Sequence, residues 1–426
     1  MTDALAKPSP PPMYRWLVLI FISLAMFGNY YIYDSIAPIA DMLKADLGFS
    51  DENIGSLYSV YSVAAIVVLL VGGVLIDKFG TRITTLGFGI LCTIAALVNW
   101  QTDQLEVMLV ARTLLGLGAE PLIVAVTTAL AKWFKGKELS FAFGINLTIA
   151  RLGSVAADNS PNWGPSFYSN WQDPLFLSFV ISLTCIIGGV VYFLMERNAE
   201  KRYTLGKSEE TEKLVWSDLV KFDRSFWFIV ALCVTFYSAI FPFRSFAIKF
   251  FMEHGGESRE MAGFLNSILP MSAMIATPLF GLMVDKIGKR ALFMMVGSIF
   301  ILPVYLMMVY LPGVSLYVPI AMMGIAFSLI PAVMWPSVAY IVEEKRLGTA
   351  YALMTLIQQI GVGAFNWMIG RANDLSAAGV DNPEGYRTGM WLFSILGIFG
   401  LIFSFLLRRQ ETGPDAHGLE EPAKIG

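Results

Sequence analysis

Twelve long apolar runs, separated by short polar joints, leave this 426-residue chain few folds to choose from. A helix of about 20 residues crosses the hydrocarbon core of a bilayer, and backbone inside lipid must satisfy its own hydrogen bonds. The expected crossings are 14–40, 53–77, 83–100, 105–134, 138–159, 172–195, 226–251, 260–285, 290–311, 314–343, 347–372 and 388–408. With 56% hydrophobic and only 15% charged residues, the chain has too little charge to cover a soluble surface. The expected fold class is an all-α membrane protein of twelve transmembrane helices, with the lipid bilayer as its solvent.

A repeat is superimposed on these runs. The string Gly73-Val-Leu-Ile-Asp77-Lys78-Phe-Gly80-Thr-Arg82 returns 208 residues later as Gly281-Leu-Met-Val-Asp285-Lys286-Ile-Gly288-Lys-Arg290. The same offset aligns Gly116 with Gly324 and Lys137-Glu-Leu-Ser-Phe-Ala with Lys345-Arg-Leu-Gly-Thr-Ala. Register held through three separate places is duplicated architecture, which in a membrane chain points to a transporter with a central site.

Lys and Arg set the orientation. The joints on the side of the N terminus hold Lys78, Arg82, Lys132, Lys286, Lys289, Arg290, Arg408 and others, whereas the opposite side holds only Lys44, Lys249, Arg259, Arg371 and Arg387. This bias predicts cytoplasmic N and C termini. The expected organisation is a cytoplasmic tail at 1–13, a six-helix bundle at 14–196, a charged cytoplasmic linker at 197–225, a second bundle at 226–409 and a tail at 410–426. The tail before the first crossing is not a cleaved signal, because the apolar run behind it is too long.

Several chemistries are set aside. Cys92, Cys185 and Cys233 lie inside apolar crossings and are fillers, not a disulfide frame. His254 and His417 lie at a helix end and in the tail, so no imidazole is available at mid-membrane to relay protons. The Asn146-Leu-Thr sequon is inside the fifth crossing, where no sugar is added. Neither a cluster of metal ligands nor a nucleophile with its base is visible, so an enzyme is not expected, and neither is a cofactor, a metal or a nucleic-acid partner.

The repeated motif has a mechanical reading. Gly73 and Gly281 allow close helix approach, Gly80 and Gly288 a tight turn, and Asp77, Arg82, Asp285 and Arg290 offer charge pairs that gate one end of the molecule. Its double occurrence resembles the signature loop of the major facilitator superfamily. That resemblance covers all twelve crossings and implies two pseudo-symmetric six-helix bundles rocking about a midplane cavity.

Charges inside the crossings locate the site. Arg112, Arg151 and Arg244 are the basic residues within spans, and Glu120 is the most deeply placed acid. At about 1.5 Å per residue, Glu120 and Arg151 each lie roughly 20 Å along their helices, near mid-depth. A charge there costs on the order of 2.5–3.5 kcal/mol on the lenient insertion scale, so each must face a cavity and a partner. Pro121 weakens the helix at the same level. The repeat carries Glu120 onto Ser328 and Arg151 onto Gln359, so symmetry is abandoned at both positions. One negative and one positive group suit a small zwitterion, with Glu120 for an ammonium and Arg151 for a carboxylate. Alternatively, the two neutralise one another as a structural ion pair.

A closer resemblance is carried by Gly28-Asn29-Tyr30-Tyr31-Ile-Tyr33-Asp34, Trp133-Phe-Lys-Gly-Lys-Glu-Leu, Ala150-Arg151-Leu-Gly153-Ser154, Phe241-Pro242-Phe243, Asn266-Ser267, Trp335-Pro336-x-x-Ala339 and Leu347-Gly348-Thr349-Ala350-Tyr351. These stretches resemble the lysosomal dipeptide uniporter group of the superfamily. The resemblance implies facilitated diffusion of dipeptides, with Glu120 and Arg151 holding the two peptide termini. Animal members of that group work with a glycosylated accessory subunit; short outer loops without sequons suggest a compact bacterial-type relative in the cytoplasmic membrane, lacking that subunit, and a monomer is expected. Arg244 matches no family binding residue; it either shifts selectivity toward acidic ligands or snorkels outward. The Glu-x-x-Glu-Arg pattern of proton-coupled peptide carriers is missing from the first helix, although Asp34 and Glu120 remain titratable.

Weaker candidate contacts are Tyr30, Tyr33, Tyr58 and Tyr61 at the outer entrance, Asn146, Gln358 and Gln359 for a peptide amide, and Trp335 for stacking. Aromatic residues also fill bundle interfaces, and amides also bind helices together. Three classes stay open: a dipeptide carrier, a carrier of another small solute such as an organic anion or sugar with or without protons, and a receptor or scaffold that moves nothing.

Overall fold

The computed structural model describes residues 8–69, 72–134, 138–206, 221–311 and 313–422. Lys135 and Lys137, residues 207–220 of the expected linker, and the outermost parts of both tails lie outside the described residues. Among the described residues, twelve helices are long and apolar enough to cross a membrane: α1 (Pro12–Leu47), α2 (Asp51–Leu69), α3 (Thr81–Trp100), α4 (Leu105–Phe134), α5 (Leu139–Asp158), α6 (Gln172–Arg202), α7 (Arg224–Glu253), α8 (Arg259–Ile287), α9 (Arg290–Tyr310), α10 (Tyr317–Ile341), α11 (Glu344–Leu375) and α12 (Pro383–Glu411). The face carrying the chain ends is termed the terminal face, and the opposite one the distal face.

Local chemistry explains the breaks. Past Asp34, α1 tightens into a 3-10 turn at Ala37–Ile39 around Pro38, re-forms over Ala40–Leu47 and ends at Gly48 with φ 70°. Asp223 caps α7 by accepting from the Phe226 N–H at 3.1 Å, and Ser258 caps α8 through Met261 at 3.2 Å. Gly80 and Gly288 take positive φ of 79° and 72°, a backbone open to glycine, at the tight turn expected of the repeated motif. The other part of that expectation needs correction: a side chain at Gly281 would meet nothing within 4 Å, so no close helix approach exists there.

The duplication is expressed in packing. In the first half α1 lies on α5 and α6, α3 on α4 and α6, and α2 on α4; in the second, α7 lies on α11 and α12, α9 on α10 and α12, and α8 on α10. The two six-helix bundles therefore have the same internal plan. They meet along two symmetry-related seams, α2 against α11 and α5 against α8. Close approach in the distal half is made possible by missing side chains: a Cβ at Gly55 would strike the carbonyl of Asn366, and one at Gly370 the carbonyl of Asp51.

Polar contacts between bundles gather in that same distal half. Lys249 of α7, expected in an outer joint, is instead fully buried and pairs with Asp51 of α2 at 2.9 Å. Asp374 of α11 caps the start of α2 across the seam, accepting from the N–H groups of Asp51 at 2.9 Å and Glu52 at 2.7 Å. Arg259 grips Asp41 in a bidentate pair at 2.6 Å. The terminal tail is also held, with Leu419 buried and its carbonyl accepting from Arg290 N–H at 3.0 Å.

Candidate functional site

A cavity of about 380 Å³ lies between the bundles, walled by α1, α2, α4 and α5 on one side and α7, α8, α10 and α11 on the other. It shares Glu120, Ile123 and Thr355 with a second cavity of about 420 Å³, which runs past Thr128, Ala131 and Phe143 toward the terminal face. The structure is thus open on the terminal side and sealed on the distal side.

The walls differ in chemistry. The first half contributes Glu120, Arg151, Asp34 and the phenols of Tyr30, Tyr33 and Tyr61, and the second contributes Arg244 and a run of larger rings: Tyr237 and Phe241 from α7, Phe327 and Trp335 from α10. Both mid-depth charges face the same cavity. Glu120 accepts from Tyr61 Oη at 2.9 Å and from Gln359 Nε2 at 3.0 Å, both neutral donors. Gln359 is the repeat counterpart of Arg151, so the broken symmetry places an amide, not a second cation, against the acid. Arg151 lies over the Phe327 ring at 5.8 Å, and its Nη1 is buried with no hydrogen-bond partner. Among the described residues the two charges form no ion pair, with each other or with any other residue.

Arg244 is neither a free cation nor a snorkelling one. It is buried in the distal roof of the cavity, where Nη2 pairs with Asp158 of α5 at 2.9 Å and Nη1 with Asp34 of α1 at 3.4 Å. Asn266 of α8 donates to Asp158 at 2.8 Å, which ties four helices of both bundles. Asp158 was overlooked by sequence reasoning because it ends its crossing; an acid and Arg244 both inside apolar runs on different helices was the available signal. Arg112, another buried cation, donates to the carbonyls of Ile32, Tyr33 and Leu57, bracing α1 and α2.

Trp335, Gln358 and Gln359 line the cavity, and Tyr30, Tyr33 and Tyr61, expected at the outer entrance, line it as well. Trp335 Nε1 donates to Tyr237 Oη at 2.9 Å, which fixes both rings. Asn146 and Tyr58 are not in the wall. The amide of Asn146 accepts from Ser23 at 3.0 Å inside the first bundle, an interhelical bond. Tyr58 is buried with its ring 4.9 Å from the Arg112 guanidinium, where it shields that cation. At the motif loops, Gly73 borders the terminal-side cavity. Arg82 pairs with Glu200 of α6, and Arg290 with Asp285 at 2.9 Å while lying 4.3 Å over Tyr340. Among the described residues these arginines pair within their own bundles.

The sequence matches the family model for the Major Facilitator Superfamily at residues 22–366 and again at 245–424, the second match falling on the second bundle. The chain belongs to the major facilitator superfamily and is a multi-pass membrane transporter of that family. Among curated relatives, the lysosomal dipeptide transporter MFSD1 of Danio rerio is 31% identical over 376 residues, covering 85% of this chain and 81% of that one. The Homo sapiens MFSD1 is 31% identical over 379 residues, covering 85% and 80%. Of solved structures, a bacterial homolog to the human lysosomal transporter Spinster, inward-facing and unoccupied, superposes with TM-score 0.72 at 16% identity, over 98% of this chain and 100% of that one. At that identity it shows the fold alone.

Proposed function

We propose that this protein carries dipeptides across the membrane by alternating access as a uniporter, Glu120 holding the peptide ammonium and Arg151 its carboxylate. One observation carries this reading: a single cavity contains a half-buried acid with only neutral partners and a half-buried arginine whose Nη1 is shielded from solvent without a hydrogen-bond partner. An unpaired charge at mid-membrane is expensive, and a ligand with opposite charges at its two ends relieves both at once. An anionic or neutral sugar relieves at most one. The relatives' name, lysosomal dipeptide transporter, agrees with this chemistry.

Tyr30, Trp335 and Gln359 complete the binding wall, while Asn146 and Tyr58 brace the first bundle. The gate at the terminal face is formed by Gly73, Asp77, Arg82, Gly281, Asp285 and Arg290, whose pairs re-form across the bundles when that face closes. The bundles span 14–196 and 226–409, joined by the 197–225 linker. The carrier works as a monomer in a bacterial cytoplasmic membrane with both termini in the cytoplasm, and without an accessory subunit.

Thermal melting of the purified protein tests the substrate. Dipeptides with free ends are expected to raise Tm, and acetylating or amidating either end to abolish the rise. A response confined to single amino acids, sugars or dicarboxylates rejects the reading. Uptake into liposomes is expected to be indifferent to an imposed pH gradient; acceleration by an inward gradient rejects uniport.

A further inference from the structure

The two anchors border different surroundings, so they give a bound dipeptide a direction. At the carboxylate anchor, Phe327 lies face-on to Arg151 at 5.8 Å. From it a strip of rings leads away: Phe327 to Phe241 at 6.2 Å, Phe241 to Tyr237 at 5.6 Å, and Tyr237 to Trp335 at 6.5 Å. The Trp335 to Tyr237 hydrogen bond holds the far end of the strip, and Tyr351 stacks behind Trp335 at 6.1 Å. The strip is therefore a preformed apolar surface. At the ammonium anchor the neighbouring groups are hydrogen-bonding ones: the Tyr61 hydroxyl and the Gln359 amide both donate to Glu120, and the adjacent α11 residues Gln358 and Thr355 face the cavity.

In an extended dipeptide the second side chain branches from the carbon that bears the carboxylate, and the first from the carbon that bears the ammonium. We propose that the cavity selects dipeptides by residue order, taking a large aromatic or apolar side chain at the second position against the Phe327–Phe241 strip and a small or polar one at the first, beside Gln358 and Thr355. This rests on the dipeptide reading above and adds the chemical class of substrate.

Reversed pairs of identical composition test it. Ala-Phe and Phe-Ala, and Ser-Leu and Leu-Ser, have the same charge and the same apolar area, so only placement separates them. Inhibition of labelled dipeptide uptake into liposomes is expected to be at least about tenfold stronger for Ala-Phe than for Phe-Ala, the effect of burying one aromatic side chain or leaving it in a polar setting. Phe327→Ala is expected to bring the two toward equality; if that variant misfolds, Phe327→Leu gives the intermediate ratio, since it keeps an apolar surface without the ring. Equal potency of reversed pairs, or stronger inhibition by Phe-Ala, overturns the assignment while leaving the dipeptide reading standing. Failure of all four peptides to inhibit, with another solute taken up, overturns both.

Discussion

Replacing Asp158 by Asn is the most direct way to ask what keeps the distal face shut. The side chain is fully buried, accepts from Arg244 at 2.9 Å and from Asn266 at 2.8 Å, and joins α5 to α7 and α8. Asn has the same shape and keeps an oxygen for Asn266, so the fold is retained. What disappears is the charge facing Arg244, which is left with Asp34 alone at 3.4 Å. A buried hydrogen bond to a charged group contributes about 1.5–3 kcal/mol, which corresponds to roughly a 10- to 150-fold change in an equilibrium constant. Starting from a distal-open population near 1%, a shift of about 30-fold raises it to roughly a quarter. Spin labels on Asp103→Cys and Asp381→Cys, both exposed in distal joints of opposite bundles, report this by pulsed electron spin resonance. The native Cys92, Cys185 and Cys233 are buried and do not compete for label. The variant is expected to add a longer-distance component, and Asp46→Asn, an exposed acid of the same face, to leave the distribution unchanged. A distribution for Asp158→Asn that overlays the wild type refutes the idea that this carboxylate sets the seal.

Three further outcomes follow from the geometry. Glu120→Gln and Arg151→Ala are each expected to eliminate dipeptide uptake into liposomes without lowering the melting temperature of the ligand-free protein, because neither removes a compensated ion pair; wild-type uptake by either would take that residue out of the site. Gly370→Val is expected to destabilise by about 1–3 kcal/mol through overpacking, since its side chain would strike the Asp51 carbonyl, and an unchanged melting temperature would contradict so tight a seam. Glu196 is buried among Lys132 at 2.9 Å, Thr81, Trp133 and Tyr192, so Glu196→Ala is expected to cost about 3–5 kcal/mol, whereas Arg82→Ala, which breaks a partly exposed pair with Glu200, costs under about 1 kcal/mol. Equal melting shifts for the two would show that burial is not what distinguishes them.

Twelve apolar runs in a chain this poor in charge dictate helices in lipid, because each is a continuous stretch long enough to span as a helix, which satisfies its backbone hydrogen bonds within itself. The offset of 208 residues dictates two bundles of one plan, and the expense of charge at mid-depth marks Glu120 and Arg151 as residues that must meet something. Those features are local or periodic, so they are legible in one dimension. Which groups meet which is not, because partners lie on different helices and 86 to 239 residues apart. The structure put Gln359 against Glu120, left Arg151 without a carboxylate, and drew Arg244 up to Asp34 and Asp158 in the roof. It also turned Asn146 and Tyr58 into the packing of the first bundle, although their depth and chemistry had made them as eligible as Gln359 and Tyr30. Helix rotation decides between those fates: a residue one position further round a helix faces a neighbour instead of the cavity, and that rotation is set by the packing of all twelve helices together.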